Sequence, residues 1–323
     1  MRRIAIVTSG GDAPGMNTAL NAAYQMGRDL GIELVGVRRG YEGLSEGDFV
    51  PFDPLELRES MNRGGTILGT ARYEAFITEE IQQQAIRHLA DGDMEGLIVI
   101  GGNGSQRGSL TIHTHGFPVV GIASTVDNDL YGSDVSIGVD TALNTIIDSL
   151  DRIGTTADSH HRAFLVEVMG RDYGYLALMS GIASGAEVIV TPEFEMEPEE
   201  VARELRLAHD QGKRYAIAVV TDGAKNGVEK IADYIEKHPQ EFDFELRMTI
   251  LGHVQRGGSP TVFDRYLATR LGSAAVQALR DGKRGVLAGW RDSGVAYVPL
   301  REVVSGRKDL NVSLWRLALM LSK

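Results

Sequence analysis

The sequence predicts an α/β protein of two Rossmann-like lobes, each with a mainly parallel sheet sandwiched by helices. Short runs of Val, Ile, Leu and Ala alternate with segments of helical periodicity along almost the whole chain, which is the pattern of repeated βαβ units. The length of 323 residues exceeds the size at which a single hydrophobic core usually divides. Glycine accounts for 39 of these residues, an excess over the usual share of about 7% that suits tight turns between strands and helices.

The first part of the chain supplies the elements of one such sheet. Strands are predicted where several apolar residues stand together, and helices where apolar residues recur every three or four positions. The predicted strands cover 4–7, 33–37, 96–100 and 118–122, and the predicted helices cover 17–30, 79–89 and 106–115. We expect residues 40–44 to form a turn. Residues 63–72 hold too much glycine for a helix.

The second part repeats the alternation. The predicted strands here cover 163–168, 187–190 and 215–220, and the predicted helices cover 140–150, 199–211 and 264–279. Residues 155–162 are polar and are expected to form a loop before the next strand. We place the crossing into the second lobe near the helix at 140–150.

Composition argues against several classes of protein. The formal net charge of −11 disfavours a nucleic-acid partner held by a basic face. The chain has no cysteine, so it can form neither a disulfide framework nor a thiolate metal site. No apolar run approaches the ~18 residues of a membrane span, and the N-terminus enters a strand directly. We therefore expect a cytoplasmic protein without a membrane partner.

The segment STVDND at 124–129 follows the apolar run that ends at Ile122. Open α/β sheets bind ligands just past the carboxyl ends of their strands. If the backbone stays extended, Asp127 and Asp129 point to the same side, where one can act as a base and the other can lie near a metal. Asp-Asn-Asp is also favourable turn chemistry, and the segment alone leaves both structures open.

Two glycine-rich loops follow other predicted strands. TSGGDAPG at 8–15 and GGNGS at 101–105 let backbone amides approach an anion at the start of the next helix. The first loop has no Walker lysine and does not fit the G-x-G-x-x-G spacing, so a plain tight turn stays open for it. Two glycine loops and a carboxylate pair therefore end three separate strands, as a composite site requires.

Taken in order, these segments resemble the bacterial 6-phosphofructokinase family, and the resemblance runs nearly end to end. The matching strings are TSGGDAPGMN at 8–17, RGGT at 63–66, TVDND at 125–129, VMGR at 168–171 and LGHVQRGG at 251–258. The resemblance implies a nucleotide-binding lobe at 1–138 plus about 256–306, and a sugar-phosphate-binding lobe at about 139–255 plus 307–323. It also implies a homotetrameric glycolytic kinase that uses ATP, Mg²⁺ and fructose 6-phosphate.

The family's catalytic residues match four positions. By resemblance, Asp127 takes the proton from the 1-hydroxyl of fructose 6-phosphate, and Thr125 hydrogen-bonds the transferring phosphate. Arg171 stabilises negative charge in the transition state. Asp129 lies beside the Mg²⁺ site, which Asn103 also contacts.

The family's binding residues match two further sets. The positions matched to nucleotide binding are Gly11, Tyr41, Arg72, Tyr73, Gly102, Asn103, Gly104, Ser105 and Gly108. The positions matched to the sugar phosphate are Thr125, Asp127, Arg162, Met169, Gly170, Arg171, Asp222, Arg247, His253 and Arg256, of which Arg162 and Arg247 reach in from a neighbouring subunit. Guanidinium forks suit phosphate oxygens, which explains arginine rather than lysine at these places.

The chain departs from the family pattern at several positions. Asn103 replaces an aspartate that helps to organise Mg²⁺, and an amide oxygen is a weaker partner for a hard dication. Asp222 replaces a glutamate, so we expect a modest rise in KM for the sugar. Gly104 and Ser124 stand where pyrophosphate-using relatives carry aspartate and lysine, which favours ATP because glycine leaves room for the nucleotide.

The effector pocket of regulated members matches least. Its basic residues are replaced here, and only Glu187 and Lys213 survive. The replaced positions are Asn21, Gln25, Pro54, Gly154 and Gln211. A ligand without differential affinity shifts no equilibrium, so we expect weak or absent regulation.

Three alternatives accompany the ATP-dependent kinase. A pyrophosphate-dependent phosphofructokinase is disfavoured by Gly104. A catalytically weak or regulatory paralogue that binds sugar phosphate is suggested by Asn103, although Asp127 and Arg171 are intact. A Rossmann dehydrogenase is the poorest fit, because G-x-G-x-x-G with a downstream ribose-binding acid is absent.

Overall fold

The computed structural model describes residues 1–240, 242 and 244–321, and the chain divides into two units. Unit 1 comprises Met1–Val126, Leu130–Thr141 and Arg256–Arg307. Unit 2 comprises Asp127–Asp129, Ala142–Gln255 and the residues from Lys308 onward. The predicted range 1–138 had placed Asp127–Asp129 in the first lobe, whereas the structure groups them with unit 2. Positions 322 and 323 of the predicted second lobe lie outside the described residues.

Strands and helices alternate along the chain, and the predicted α/β fold is confirmed. The strands are β1 (Arg3–Thr8), β2 (Glu33–Val37), β3 (Phe49–Pro51), β4 (Gly96–Gly101), β5 (Val119–Ala123), β6 (Ala163–Val168), β7 (Val188–Val190), β8 (Ala216–Thr221), β9 (Leu246–Ile250), β10 (Val286–Arg291) and β11 (Gly294–Pro299). The helices are α1 (Met16–Leu30), α2 (Gly40–Glu46), α3 (Pro54–Ser60), α4 (Glu79–Asp91), α5 (Asn103–Thr114), α6 (Val139–His160), α7 (Tyr175–Ser184), α8 (Pro198–Asp210), α9 (Val228–Lys237), α10 (Val262–Arg280), α11 (Leu300–Ser305) and α12 (Val312–Leu321). Two 3₁₀ turns cover Glu74–Ile77 and Gly252–Arg256.

Unit 1 contains a seven-stranded sheet in the order β11-β10-β5-β4-β1-β2-β3. Its neighbouring strands are parallel except in the pairs β2–β3 and β10–β11. Strands β4 and β5 are entirely buried, as expected when helices cover both faces of a parallel sheet. The register pairs Thr8 with Ile100 and Gly101 with Ala123. The loops after β1, β4 and β5 therefore leave the sheet at the same edge.

Unit 2 contains a four-stranded parallel sheet in the order β7-β8-β6-β9. The register pairs Val168 with Thr221, so the loops after β6 and β8 also begin side by side. Strand β9 is an edge strand, and Arg247, Met248 and Ile250 on it are exposed. In the part of the chain that the structure describes, no helix is both long and apolar enough to cross a bilayer.

Helix α6 begins in unit 1 on a buried carboxylate. Asp264 accepts hydrogen bonds from the Gly138 N–H at 2.8 Å, the Thr141 N–H at 2.8 Å and the Thr141 hydroxyl at 2.6 Å. These bonds satisfy amide donors that a helix N-terminus leaves without an intrahelical partner. Asp264 is completely buried, and its burial raises its pKa to about 6.

Two predicted irregular segments are helical in the structure. The predicted turn at 40–44 is wrong, because helix α2 covers it; Gly43 is required there since a Cβ would lie 1.9 Å from the carbonyl oxygen of Arg38. The predicted loop at 155–162 is also largely wrong, because α6 continues to His160. Leu150, Gly154 and Ala157 are buried at helical spacing along it, so one face packs although the residues between are polar.

Candidate active site

The loop after β1 is tied to the segment 63–72 in unit 1. The Thr8 hydroxyl lies 2.9 Å from the Thr66 hydroxyl and donates to the Gly69 carbonyl at 2.9 Å. Farther along, the Thr70 hydroxyl donates to the Gly10 carbonyl at 2.7 Å. The predicted irregular character of 63–72 is confirmed, and these bonds fix it beside the first glycine loop.

The second glycine loop contacts the first. The Ser9 N–H donates to the Ile100 carbonyl at 3.0 Å, and a Cβ on Gly101 would lie 2.5 Å from the Ser9 carbonyl oxygen. Glycine at 101 therefore permits a close backbone approach. Helix α5 begins directly after, at Asn103, and its first-turn amides face the end where an anion binds favourably. Gly104 is exposed, and a Cβ there would meet nothing within 4 Å.

Tyr41 supports this loop from the core. Its ring stacks on Phe76 with centroids 4.3 Å apart, and its hydroxyl donates to the Ser105 carbonyl at 2.6 Å. Burial raises the pKa of Tyr41. A Cβ on Gly108 would lie 2.7 Å from the Tyr41 hydroxyl oxygen. Both predicted nucleotide residues thus pack behind the loop that begins α5.

Arg256 lies against the first glycine loop. Its Nη1 donates to the Asp12 carbonyl at 3.1 Å, and a Cβ on Gly11 would lie 2.6 Å from the same nitrogen. Gly11 is therefore required for this arginine to reach the loop. The resemblance predicts a sugar-phosphate role for Arg256, and the structure places this residue in unit 1 beside Gly11. Arg72 is exposed, and Tyr73 packs partly against the core of unit 1.

The chain leaves β5 through Thr125 and then turns. Thr125 is nearly buried, and a Cβ on Gly102 would lie 3.3 Å from the Thr125 Cβ. Val126 and Asp127 form a turn, and Asn128 has a φ of +54°. The extended arrangement that would point Asp127 and Asp129 to one side is therefore wrong. Asparagine is among the few residues that adopt this left-handed conformation readily.

Asp127 and Arg171 form a charged pair in unit 2. The Arg171 Nε lies 3.7 Å from the Asp127 Oδ2, and the Asp127 side chain is only 4% exposed whereas that of Arg171 is 52% exposed. Arg171 has a φ of +51°, a conformation that is costly for a long side chain and that clusters at functional sites. Its N–H donates to the Asp222 Oδ1 at 2.7 Å. The Asp222 carboxylate therefore fixes the strained backbone that presents the guanidinium.

The loops after β6 and β8 meet around this pair. A Cβ on Gly223 would lie 1.8 Å from the Arg171 carbonyl oxygen, and one on Gly170 would lie 2.7 Å from the Thr221 Cγ2. The Met169 N–H donates to the side-chain oxygen of Gln255 at 3.1 Å. Three segments of unit 2 are thus held together, and they carry the predicted residues Met169, Gly170, Arg171 and Asp222.

Arg162 and Arg247 share one acceptor. Glu245 accepts a hydrogen bond from Arg162 Nε at 2.5 Å, and its other oxygen accepts from Arg247 Nη2. The parallel register of β6 and β9 brings the three residues together, since Ala163 pairs with Leu246. The predicted residue His253 is exposed.

The residues matched to Mg²⁺ offer oxygen donors only. Asn103 supplies an amide oxygen in unit 1, and Asp129 supplies a partly buried carboxylate in unit 2. The described residues contain no group of three or more His, Asp or Glu side chains arranged to hold a metal ion. Mg²⁺ that arrives with nucleotide phosphates needs only one or two carboxylates from the protein. The donor chemistry of Asp129 and Asn103 fits such an ion.

Sequence reasoning missed two buried glutamines. Gln106 Nε2 donates to the Gly101 carbonyl at 3.0 Å and lies within hydrogen-bond distance of the Ile122 carbonyl at 3.4 Å, so it links the ends of β4 and β5. Gln255 fixes Met169, as described above. Both are completely buried. The available signal was a polar residue beside a glycine loop, which is too common to single out either glutamine.

The family model and the most similar curated proteins point to one family. A family model described as phosphofructokinase matches residues 3–279. ATP-dependent 6-phosphofructokinase 1 of Thermus thermophilus is 48% identical over 324 residues, covering 100% of both chains. The ATP-dependent 6-phosphofructokinase of Thermotoga neapolitana is 46% identical over 323 residues, again covering 100% of both.

Solved structures agree in fold. Phosphofructokinase of Pichia pastoris in the T-state has a TM-score of 0.87 and 35% identity, covering 94% of this chain and 35% of its own. Phosphofructokinase of Saccharomyces cerevisiae has a TM-score of 0.86 and 33% identity, covering 100% of this chain and 48% of its own. The present chain thus spans about a third and about half of these two yeast chains. A pyrophosphate-dependent phosphofructokinase of Marinobacter aquaeolei shares the fold with a TM-score of 0.87 at 20% identity.

Proposed function

The chain belongs to the phosphofructokinase family, and on that premise we propose that it is an ATP-dependent 6-phosphofructokinase. It transfers the terminal phosphoryl group of ATP to the 1-hydroxyl of fructose 6-phosphate, giving fructose 1,6-bisphosphate and ADP in glycolysis. Full-length identities of 44–48% to ATP-dependent 6-phosphofructokinases support this activity. The observation that carries the proposal is the buried Asp127 carboxylate 3.7 Å from the Arg171 guanidinium.

Asp127 acts as the general base. The sugar 1-hydroxyl oxygen forms a bond to the γ-phosphorus while the bond from that phosphorus to the β–γ bridging oxygen breaks. The hydroxyl proton passes to the Asp127 carboxylate, and the bridging electron pair stays with ADP. Burial of Asp127 supports this role, because few waters compete with the sugar hydroxyl for the carboxylate.

Arg171 stabilises the phosphoryl group in transit. Charge spreads over the three equatorial oxygens in the transition state, and a fixed guanidinium offsets it without reorganisation. Asp222 helps to fix the position of Arg171, because its Oδ1 accepts a hydrogen bond from the Arg171 N–H at 2.7 Å. Met169, Gly170, Asp222, His253 and Arg256 are proposed to hold the sugar phosphate.

Unit 1 supplies the donor side. Amides at the start of α5 (Gly102–Ser105) and the loop at Gly11 are proposed to bind the nucleotide phosphates, with Arg72 adding charge. Thr125 hydrogen-bonds the transferring phosphate two residues before Asp127 in the chain. Tyr41, Tyr73 and Gly108 shape the nucleotide side, Tyr41 through its bond to Ser105. In this proposal backbone amides, rather than a Walker lysine, bind the phosphates of ATP.

Mg²⁺ would be held by Asp129 and Asn103 together with the nucleotide phosphates. When bound, it neutralises charge on the β- and γ-phosphates. Asn103 supplies a neutral donor in place of the family's aspartate, and we infer a working site with impaired metal use. This substitution also keeps the weakly catalytic paralogue as the second candidate.

We also propose a cytoplasmic homotetramer with weak or absent effector control. Glu245 holds Arg162 and Arg247 as a pair, and the two guanidinium groups are proposed to reach the sugar phosphate bound to a neighbouring copy. Light scattering should give four times the mass of 35.0 kDa. A fully active monomer would contradict the proposal that Arg162 and Arg247 act at the site of a neighbouring subunit.

A coupled assay of ADP release with fructose 6-phosphate tests the central proposal. Asp127→Ser should lower kcat by roughly 10²–10⁴-fold because the general base is lost, while the free energy of unfolding changes little. Asp233→Ser, at an exposed position on α9, serves as the control. Wild-type activity in the Asp127→Ser variant would contradict the assigned base, and an inactive wild-type chain would favour the weakly catalytic paralogue.

A further inference from the structure

Unit 2 contains a cavity of about 330 Å³ between β7, α8 and α12. Its wall is mostly apolar and includes Ile189, Met196, Leu207, Trp315, Ala318 and Leu319. The volume and the lining resemble those of small-molecule sites, which are apolar with a few placed polar groups. None of the residues assigned to phosphoryl transfer lines it.

The wall is held in place by packing. The Trp315 ring stacks on Phe194 with centroids 4.4 Å apart and an interplanar angle of 9°, and Ala318 is buried. Leu207 and Leu319 are 47% and 48% exposed at the cavity. Apolar side chains that stay exposed around a concave surface mark a binding surface more often than an isolated one does.

The charged groups that line the cavity are carboxylates. The Glu187 side chain is only 10% exposed, and it is fixed because Oε2 accepts the Ile217 N–H at 2.6 Å while Oε1 lies 3.3 Å from the Lys213 Nζ. Glu204 lies in the lining with a surface ion pair of 3.4 Å to Arg203, and such a pair exchanges easily. Gln211 adds a side-chain amide. Among the described lining residues there is no Arg or Lys.

We propose that this cavity binds a small cationic amphiphile of the primary alkylamine class. An ammonium group has three donors, which the carboxylates of Glu187 and Glu204 and the Gln211 amide oxygen can accept. The alkyl chain then lies along Ile189, Leu207 and Leu319. Lys213 already offsets the charge of Glu187, so Glu204 is the carboxylate that decides against a carboxylate or phosphate on the alkyl chain.

Calorimetric titration of the full-length protein with octylamine, octanol and octanoate tests the proposal. Octylamine should bind one per chain, at least about tenfold more tightly than octanol, and octanoate should give no heat. Glu204→Gln should weaken octylamine by about tenfold and leave octanol unchanged. Glu236→Gln, at an exposed position on α9 outside the cavity, should change neither.

Two variants fill the cavity. Ala318→Phe places a ring where the buried Ala318 now packs, and Leu207→Trp adds bulk at a half-exposed position that tolerates it. Both should abolish octylamine binding while kinase activity without ligand stays unchanged.

Equal binding of octylamine and octanoate, or octylamine binding that survives Leu207→Trp, would overturn the proposal. Absence of binding by all three probes would also overturn it, and a changed mass of Leu207→Trp by light scattering would then show that a second copy of the chain covers the cavity. Calorimetry measures binding directly, so these outcomes do not depend on whether the wild-type protein has kinase activity.

Discussion

At the scale of single residues, the site is defined by what surrounds one buried charge. Asp127 is 2% exposed, and its guanidinium partner is held on a left-handed backbone by Asp222. A buried charge is stable only when it is paired and hydrogen-bonded. The strained φ at Arg171 is therefore tied directly to the group that the reaction uses.

Asn103→Asp should raise turnover. The variant restores a charged oxygen donor for Mg²⁺ at the start of α5, so we expect kcat with MgATP to increase by an amount equivalent to on the order of 1–3 kcal/mol of transition-state stabilisation. Steady-state kinetics at saturating Mg²⁺ would measure it. Asn103→Ala is the control and should not gain activity. An unchanged or lower rate in Asn103→Asp would show that metal use is not impaired.

Gly104→Asp should weaken the use of ATP as phosphoryl donor without lowering the stability of the protein. A Cβ at Gly104 meets nothing within 4 Å, so the fold accommodates the new side chain and the melting temperature should change little. Its carboxylate would repel the nucleotide phosphates, and kcat/KM for ATP should fall by roughly 10-fold or more. Rates with ATP and with pyrophosphate at matched Mg²⁺ give the measurement. Gly104→Ala is the size control, and an equal loss in both variants would reject the charge argument.

At the scale of elements, α6 depends on a carboxylate far from it in sequence. Asp264 lies in the first turn of α10. It accepts three hydrogen bonds from groups at the start of α6. Thr261 extends this link, because its hydroxyl donates to Asp140 at 2.6 Å. The N-termini of two helices in unit 1 are thus joined by buried polar contacts.

The raised pKa of Asp264 predicts a pH-dependent stability. Its pKa is about 6 in the folded chain against 3.8 in the unfolded chain, so between these values the native state binds the extra proton. The contribution is fully present below about pH 4 and is lost as pH rises through 6, which amounts to on the order of 2–3 kcal/mol. Urea unfolding of wild type and Asp264→Asn at pH 4.5, 6 and 7.5 measures it.

The difference in unfolding free energy between wild type and Asp264→Asn should shrink as pH rises across that window. Asp233→Asn, which changes an exposed carboxyl on α9, should give a nearly constant difference. Parallel curves for Asp264→Asn and wild type would show that Asp264 ionises equally in both states.

Most helices and strands were predictable from the sequence, because the spacing of apolar residues and the glycines at strand ends are local signals. The helix at Gly40–Glu46 was not, because Gly43 allows a close approach to the Arg38 carbonyl oxygen rather than forming a turn. The last turns of α6 were hidden by polar residues on the outer face. At the site, motif strings identified Asp127 and Arg171, but Gln106, Gln255 and Asp264 act through contacts that only the folded chain creates.

At the scale of the whole molecule, the positions matched to the effector pocket carry little positive charge. Asn21 is buried and its amide lies 3.1 Å from the Met61 sulfur, while Pro54 opens α3. In unit 2, Lys213 is engaged by Glu187 at 3.3 Å. With the other basic positions replaced, Lys213 alone, partly offset by Glu187, offers an anion little attraction.

Phosphoenolpyruvate should therefore leave the kinetics hyperbolic. We expect the fructose 6-phosphate concentration at half-saturation to change less than about twofold when phosphoenolpyruvate is added at millimolar concentration, since no differential affinity drives a transition. Saturation curves with and without the ligand provide the measurement. Gln211→Arg is a gain-of-charge comparison. Strong sigmoidal inhibition of the wild type at sub-millimolar phosphoenolpyruvate would contradict the expectation.

Strand β9 has a consequence for handling the protein. Its outer side has no strand partner among the described residues, and Met248 and Ile250 on it are 45% and 50% exposed. An open ladder with apolar side chains is a template for misassembly, and a charged residue such as Arg247, directly before Met248, acts as a gatekeeper. Substituting Arg247 to probe catalysis would thus also remove a safeguard against aggregation, and concentrated stocks of such a variant should be checked for turbidity before any rate is interpreted.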